Sequence, residues 1–387
     1  MSLQVVTAQS GRDATHFISS PARRPAEDLL LCRHRISDQQ RTNLESLAYR
    51  YASVPESYDI AVSDGHVLQS PCGKGAMSVL VDGKFWHVSG SLLAPEPLKP
   101  DMIRMLRQIS ECSRKTIAVY NVSQTDALSF QRQGFVVNKF GEEAVLTPSR
   151  INWKGGQYEW VRRQTNYCRR AGLDVAEVTD RDEQCAMAQT LVSIMSEDLA
   201  GRTFDKPLRL LEGEFRPGDL QRRRLFVARS ADGRVEAFLA CSPIDGGRSW
   251  AFETYRKRNR ATRGVTAFLF RTVIDQLKDE GAESISLCLI PGRNVANSEI
   301  KPGDRRIQRL MSLWYSRLDF VFNARGQDHF KSRFRPHYVS RYLCVAPCNS
   351  LTSLWSFLKT TGALNCNVRN LLKSLYRKSA GSMPPTH

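Results

Sequence analysis

The sequence predicts an α+β fold: an antiparallel-rich sheet with helices on both faces, built twice in tandem and followed by a basic helical tail. Three observations carry this. Short runs of β-branched and aromatic residues lie between Gly- and Asp-containing turns. Apolar residues at helical spacing follow them. The order hairpin, helix, strand, short helix, strand occurs in each half, matched in pattern and not in residue identity.

Residues 1–57 carry few signals beyond a polar entry with Arg23, Arg24 and Pro25 and a helix over Gln39–Ala52, with Leu44, Leu47 and Ala48 on one face. A first lobe is read over 58–150. Asp59–Val62 reads as a strand, and Met77–Val81, the turn Asp82-Gly83 and Phe85–Val88 as a hairpin. Pro100–Ser113 has Ile103, Leu106 and Ile109 at helical spacing, Thr116–Val122 reads as a strand, and Asp126–Arg132 as a short helix leading through Gly134-Phe135 into another strand. The connecting segment 151–173 holds Lys154-Gly155-Gly156 and a basic helix over Tyr158–Arg170, stopped by Gly172. That helix carries Arg162, Arg163, Arg169 and Arg170, a pattern that also suits a merely solvated face.

The second lobe, 174–347, repeats the order. Leu225–Ala228 and Val235–Cys241 flank the turn Ala231-Asp232-Gly233, and Ser249–Glu253 follows a second turn at Asp245-Gly246-Gly247. Arg256, Lys257, Arg258, Arg260 and Arg263 then lead to Gly264, where a helix begins with Val265, Phe268, Leu269, Val273 and Leu277 on one face. Gly281 ends it, and Ser284–Ile290 reads as a strand closed by Pro291-Gly292. A basic loop feeding a helix N-terminus suits a phosphate-bearing ligand; a solvated loop accounts for it equally well. In the tail, 348–387, Leu351–Lys378 reads as two helices. One has the patch Leu354, Trp355 and Leu358, the other the stripe Leu364, Val368, Leu371, Leu372 and Leu375, edged by Lys359, Arg369, Lys373, Arg377 and Lys378. Packing on the second lobe and lying on an anionic bilayer both fit this pattern.

At 387 residues the chain is long enough for two domains, and a net charge of +17 favours an anionic partner: nucleic acid, an acidic membrane surface or a polyphosphate. The ten cysteines are scattered without a CxxC pair, which predicts free thiols and a reducing cytoplasm. Met1–Asp13 lacks the pattern of a secretory signal, and no apolar run approaches the ~20 residues of a membrane span. Neither GxxxxGK, GxGxxG nor GxSxG occurs, and the seven histidines have no metal-ligand spacing, so neither a cofactor nor a metal is expected.

Four motifs in order resemble one family. GEEAVL…WKGGQYEWVRRQTNYCRRAGL resembles the junction of the C-terminal catalytic region of bacterial phosphatidylglycerol lysyltransferases and related lipid aminoacyltransferases. LEGEFRPGDLQRRRLFVARSADGRVEAFLACSPI, FETYRKRNRATRGVTAFLF and FNARGQDHFKSRFRPHYVSRYL are similar to its later segments, so the resemblance runs from about Asp59 to Pro347. It implies two tandem GNAT-like lobes and transfer of an aminoacyl group from aminoacyl-tRNA to a phosphatidylglycerol hydroxyl. Glu143, Lys154, Arg162, Asn166, Arg170 and Gly172 match the junction motif. Glu253 and Arg256 take the family's acidic and arginine positions, the first as proton acceptor or amino-group ligand, the second as a phosphate fork. Arg325, Lys331, Arg333 and Arg341 are expected to face tRNA or lipid phosphates; Arg341 also fits a plain anchor for an edge strand. Two positions depart from the family: Arg263 stands where it has Asn, and Ala267 where it has Asp. The family's membrane-spanning N-terminal half has no counterpart, which argues against lipid translocation by this chain alone. The expected location is cytoplasmic, peripheral on the inner membrane face if the tail lies on lipid. The competing readings are a GNAT acyltransferase using acyl-CoA, although Ala261 breaks the usual pyrophosphate loop, and a non-catalytic RNA- or membrane-binding protein.

Overall fold

The computed structural model describes residues 29–62, 65–204, 206–212, 215–216, 222–317, 323–365 and 367; Arg23, Arg24, Pro25 and, of the second tail stripe, Val368, Leu371, Leu372 and Leu375 lie outside them. The first half supplies β1 (Leu30–Leu31), α1 (Asp38–Tyr51), β2 (His66–Gln69), β3 (Ala76–Asp82), β4 (Phe85–Leu93), α2 (Lys99–Ser113), β5 (Thr116–Val122), α3 (Gln124–Arg132) and β6 (Val136–Leu146). The helix α4 (Glu159–Arg170) bridges to β7 (Asp174–Glu177), α5 (Arg181–Ala200), β8 (Arg224–Arg229), β9 (Val235–Ile244), β10 (Ser249–Lys257), α6 (Val265–Asp279), β11 (Ser284–Pro291), α7 (Arg305–Arg317), α8 (Ala324–Ser332), β12 (His337–Ala346) and α9 (Leu351–Thr361).

These strands form one continuous sheet ordered β1-β2-β3-β4-β5-β12-β6-β11-β10-β9-β8-β7. In each half three antiparallel strands are followed by a crossover helix and a strand parallel to the third: β2-β3-β4, α2, β5, and β8-β9-β10, α6, β11. This is the GNAT-like order, and the fold is α+β. The last strands are exchanged. β6 leaves the first half to pair with β11, and β12 returns from the second to lie between β5 and β6. Arg341 is therefore on a central strand and not an edge one.

Alternation along the seam feeds two cores. Ile117, Val119, Tyr342 and Cys344 join Trp86 and Phe130 in one cluster, while Ala118, Tyr120, Leu343 and Val345 join Phe140, Met311 and Phe357 in another. In the second half, Phe252, Phe270, Phe330 and Phe334 pack edge-on or tilted, with centroids 4.8–5.5 Å apart. The first tail helix packs against strands of the first half, β3 and β4, and not on the second lobe as expected, because Ser356 and Lys359 find their partners there. Leu354 and Leu358 pack on the Tyr120 cluster, and Trp355 is 60% exposed. Ser356 fixes the helix by hydrogen bonds to His87 Nε2 (2.9 Å) and Asp82 Oδ2 (2.8 Å).

Each parallel pair holds together for only a few residues and then opens. β10 and β11 are paired from Ser249 to Ala251 and Ser284 to Ser286, and β4 and β5 from Phe85 to Val88 and Thr116 to Val119. The first opening is filled by the chain itself. Pro55–Tyr58, a buried 3-10 turn, lies against β4 so closely that a Cβ on Gly90 (φ 69°) would meet the backbone of Glu56 and Ser57 at 2.9 Å. Two sequence expectations are corrected nearby. Asp59–Val62 is a helical turn and not a strand, because Asp59 turns inward to accept a hydrogen bond from Ser89 Oγ (2.7 Å). β10 runs on to Lys257, because the antiparallel ladder with β9 continues through Arg256 and Lys257, so the basic loop begins only at Arg258.

Phe270→Ala should cost about 3–5 kcal/mol of stability, read from urea denaturation, since the ring is fully buried among four aromatics; a loss under about 1 kcal/mol would show a loosely packed site. Glu56 is buried without an ion-pair partner among the described residues, and burial raises its pKa from 4.5 to about 8, Glu143 and Asp59 adding to the effect. Between those values the folded state holds a proton that the unfolded chain has released. Stability should therefore fall from about pH 4.5 to about 8, by at most ~1.4 kcal/mol per pH unit from this group, and Glu56→Gln should flatten that slope in denaturation measured across the range.

Candidate active site

The second opening, between β10 and β11, is where charge collects. Two irregularities make room for it. β10 shifts register against β9 between Phe252 and Thr254, and β11 against β6 between Ser286 and Leu289, with Cys288 at φ 68°. Glu253 sits at the first irregularity, buried, its carboxylate held by Arg223 at 3.1 Å and by the Ser242 hydroxyl. Arg223 in turn lies 5.4 Å from the centroid of the Tyr58 ring, so the segment that plugs the first opening also supports the second.

Lys331 reaches this region from α8. It is 2% exposed, and its ammonium donates to the carbonyls of Cys288 (3.1 Å) and Leu289 (3.2 Å). Burial holds it below the ordinary lysine range, opposed by the thiol of Cys288 and by Glu143, Glu56 and Asp328. Burial pushes the Cys288 thiol well up, and Glu56, Glu253 and Glu143 act in the same direction. Glu143 is paired with Arg341 and accepts from Ser286 Oγ. Glu56 accepts from Asn121. Three carboxyl groups and one lysine thus act on the buried thiol of Cys288, which stands at the middle of this polar centre.

The expected phosphate contacts divide into two groups. Lys331 and Arg341 do not face outward: the first is bound to backbone carbonyls and the second to Glu143 within the sheet. Arg256 is engaged from inside, 2.8 Å from Glu212 and 3.6 Å from Asp198. The surface holds the rest. Lys154, Asn166, Arg170, Arg263 and Arg325 are exposed. Arg162, half-buried, closes the entry to α4 by donating to Trp153 O and Gly155 O, both at 2.7 Å. Arg333 lies 5.7 Å from the Trp160 ring, and Trp160 meets Phe330 at 6.2 Å, so α4 and α8 are neighbours. Gly264 (φ 85°) brings the start of α6 against α4, where a Cβ would meet Gln164. One basic face thereby spans α4, the N-terminus of α6 and α8. Ala267 is buried in the apolar core, so no polar group stands at that departure from the family. Sequence reading missed Glu56, Arg223 and Cys288. Glu56 and Arg223 lie outside the motif strings' acidic and strand-end positions, and Cys288 reads as an ordinary strand residue. No metal-binding group of side chains occurs among the described residues, and no described helix is long and apolar enough to cross a membrane.

Comparison with known proteins fits this architecture. Residues 47–345 match the family model described as phosphatidylglycerol lysyltransferase, C-terminal. The lysylphosphatidylglycerol biosynthesis bifunctional protein LysX of Rhodococcus opacus is 25% identical over 287 residues, 73% of this chain and 25% of that protein. The phosphatidylglycerol lysyltransferase of Bacillus subtilis is 23% identical, over 65% of this chain and 29% of its own length. This chain thus spans about a quarter of the length of the curated relatives it matches. The crystal structure of the C-terminal domain of a candidate lysylphosphatidylglycerol synthetase from Agrobacterium fabrum superposes with a TM-score of 0.70 at 20% identity, covering 85% of this chain and 96% of that one. By the family match over most of its length, the chain belongs to the phosphatidylglycerol lysyltransferase C-terminal family.

Proposed function

We propose that the chain is an aminoacyltransferase that moves an aminoacyl group from aminoacyl-tRNA to a lipid hydroxyl, with phosphatidylglycerol or a related anionic lipid as acceptor. The observation that carries the reading is the juxtaposition of the opening between β10 and β11, with Glu253 beside it, and a basic face on α4, α6 and α8, in a chain whose family match spans 47–345. The repeat units are 58–150 and 174–347, with the second as the catalytic one. The plug at Pro55–Tyr58 supports that choice, because it fills the first opening with buried backbone.

In this scheme Lys154, Arg162, Asn166, Arg170, Arg263, Arg325 and Arg333 receive the tRNA acceptor end. The aminoacyl ester is already activated, so the reaction needs no nucleotide. The acceptor hydroxyl attacks the ester carbonyl. A new C–O bond to the lipid forms, the bond to the tRNA ribose oxygen breaks, and the proton passes from the lipid hydroxyl to Glu253 and on to the departing ribose oxygen. Arg223 and Ser242 orient Glu253, and the Lys331 ammonium, held in place by the carbonyls of Cys288 and Leu289, offers positive charge to the oxyanion that develops on the ester. The carboxyl oxygens of Glu143 and Glu56 supply hydrogen-bond acceptors that suit an α-amino group. With Ala267 apolar, selection among amino acids falls to these carboxyl groups. A location at the inner face of a membrane follows from the lipid acceptor.

Incubation with radiolabelled charged tRNAs, with and without phosphatidylglycerol, tests the reading. Turnover of one charged tRNA into labelled lipid is expected; consumption of acyl-CoA instead, or salt-sensitive RNA binding with no product, would replace it with one of the competing functions. Glu253→Gln keeps the hydrogen bond to Ser242 and should lower transfer by about 10²–10⁴-fold while leaving tRNA affinity unchanged. Undiminished turnover in that variant would remove Glu253 from the chemistry.

A further inference from the structure

Large exposed apolar side chains are few among the described residues: Leu128, Tyr167, Val192, Leu310, Leu313, Leu351, Trp355 and Leu364. The last five lie on α7, on α9 or just after it, and both helices pack over the same core cluster. α7 turns Ile307, Met311, Trp314 and Tyr315 toward that cluster. Helical spacing then sets Leu310 and Leu313 on the outer side beside Arg306 and Arg309. On α9 the inward set is Leu354, Phe357 and Leu358, which leaves Leu351 and Trp355, one turn apart, 80% and 60% exposed.

The charge carried by α7 itself has one sign, with Asp304 capping its first turn and Asp82 paired to Lys359 of α9 as the bordering acids. α7 contains no acidic residue, and Arg305, Arg306 and Arg309, with Lys301 just before them, are exposed and have no ion-pair partner among the described residues. Arginines interleaved with leucines on α7, with an exposed tryptophan on a helix that packs over the same core, describe an interfacial surface for anionic lipid. The same charges argue against a second copy docking face to face, since the cations would be brought together. Nucleic acid accounts for the arginines but leaves the leucines and Trp355 without purpose.

We propose that the outer faces of α7 and α9 dock this chain onto an anionic bilayer surface. The idea deepens the lipid-acceptor reading and rests on it for its purpose, though its evidence is separate: docking would hold the enzyme at the surface where its acceptor resides.

The full chain should sediment with vesicles containing phosphatidylglycerol and phosphatidylcholine at low salt, and not with phosphatidylcholine alone. The variants L310S/L313S/W355S and R305E/R306E/R309E should each weaken partitioning at least tenfold, with thermal unfolding unchanged and transfer to detergent-dispersed phosphatidylglycerol retained. Equal sedimentation of either variant overturns the proposal. So does loss of binding in L371S/L375S with binding kept in L310S/L313S/W355S, because the anchor is then the tail. A wild-type dimer that the leucine and tryptophan changes disperse, in a chain that ignores vesicles, also overturns it and makes the face a self-contact. Absence of transfer with every charged tRNA, alongside patch-dependent vesicle binding, would leave the docking surface standing and remove the aminoacyltransferase reading.

Discussion

The Arg341–Glu143 pair joins the two halves at the middle of the sheet. Glu143 comes from β6, the strand given up by the first half, and Arg341 from β12, the strand given up by the second. Two charges taken out of water are costly, and their mutual attraction offsets the cost only when the remaining donors and acceptors are also satisfied. Here they are: Ser286 Oγ takes the other carboxylate oxygen, and the guanidinium also reaches the carbonyl of Ser53 (3.4 Å). Removing one partner of such a pair typically costs ~3–5 kcal/mol, because the other is left charged and buried. Each half therefore depends on the other for its last strand and for the neutralisation of that strand's charge.

The strand exchange also explains why the polar centre tolerates so many ionisable groups. β6 brings Lys139, Glu142 and Glu143 into the interior at nearly successive positions; the first two pair within the strand, and each of the three also bonds a group from elsewhere in the chain. Lys139 bonds Glu142 (2.8 Å), Glu142 also bonds Asn294 (2.7 Å) and Arg293, and Glu143 takes Arg341. Asn294 and Arg293 belong to the chain just after β11. The network pins the far end of the opening against β6, while the irregularities at Phe252/Thr254 and Ser286/Leu289 keep its near end apart. The opening is thus a consequence of ladder geometry held by charge pairs rather than of a flexible loop.

Much of this was legible in the sequence. The alternation of Thr116–Val122 and the helical spacing of Ile103, Leu106 and Ile109 come from burial on one face, so local pattern and tertiary position agree. The repeated order was also readable, because it depends on the succession of periods and not on residue identity. The exchange of β6 and β12 was not, since antiparallel pairing leaves no mark on composition that distinguishes one partner strand from another. The basic residues divided for a related reason. Arg263 and Arg256 look alike in a run of arginines, yet the ladder with β9 carries Arg256 into the interior and ends before Arg263. Four residues at Asp59–Val62 are too few to show a period, and an inward hydrogen bond decided their shape.

Charge is consequently sorted by depth. Arg223, Arg256, Lys331 and Arg341 are buried with carboxylates or carbonyls as partners, and the interior stays close to balance. The excess of +17 must then lie chiefly outside that centre, and on the described surface it gathers on α4, at the start of α6 and along α7. An exterior of this kind draws polyanions from a distance, since exposed charges act through solvent over about a Debye length, ~8 Å at physiological salt. A balanced interior does the opposite and responds only to a group that enters it. A polyanion drawn to the exterior and a group that enters the opening therefore meet different residues, and a change in one set leaves the other's electrostatics largely in place.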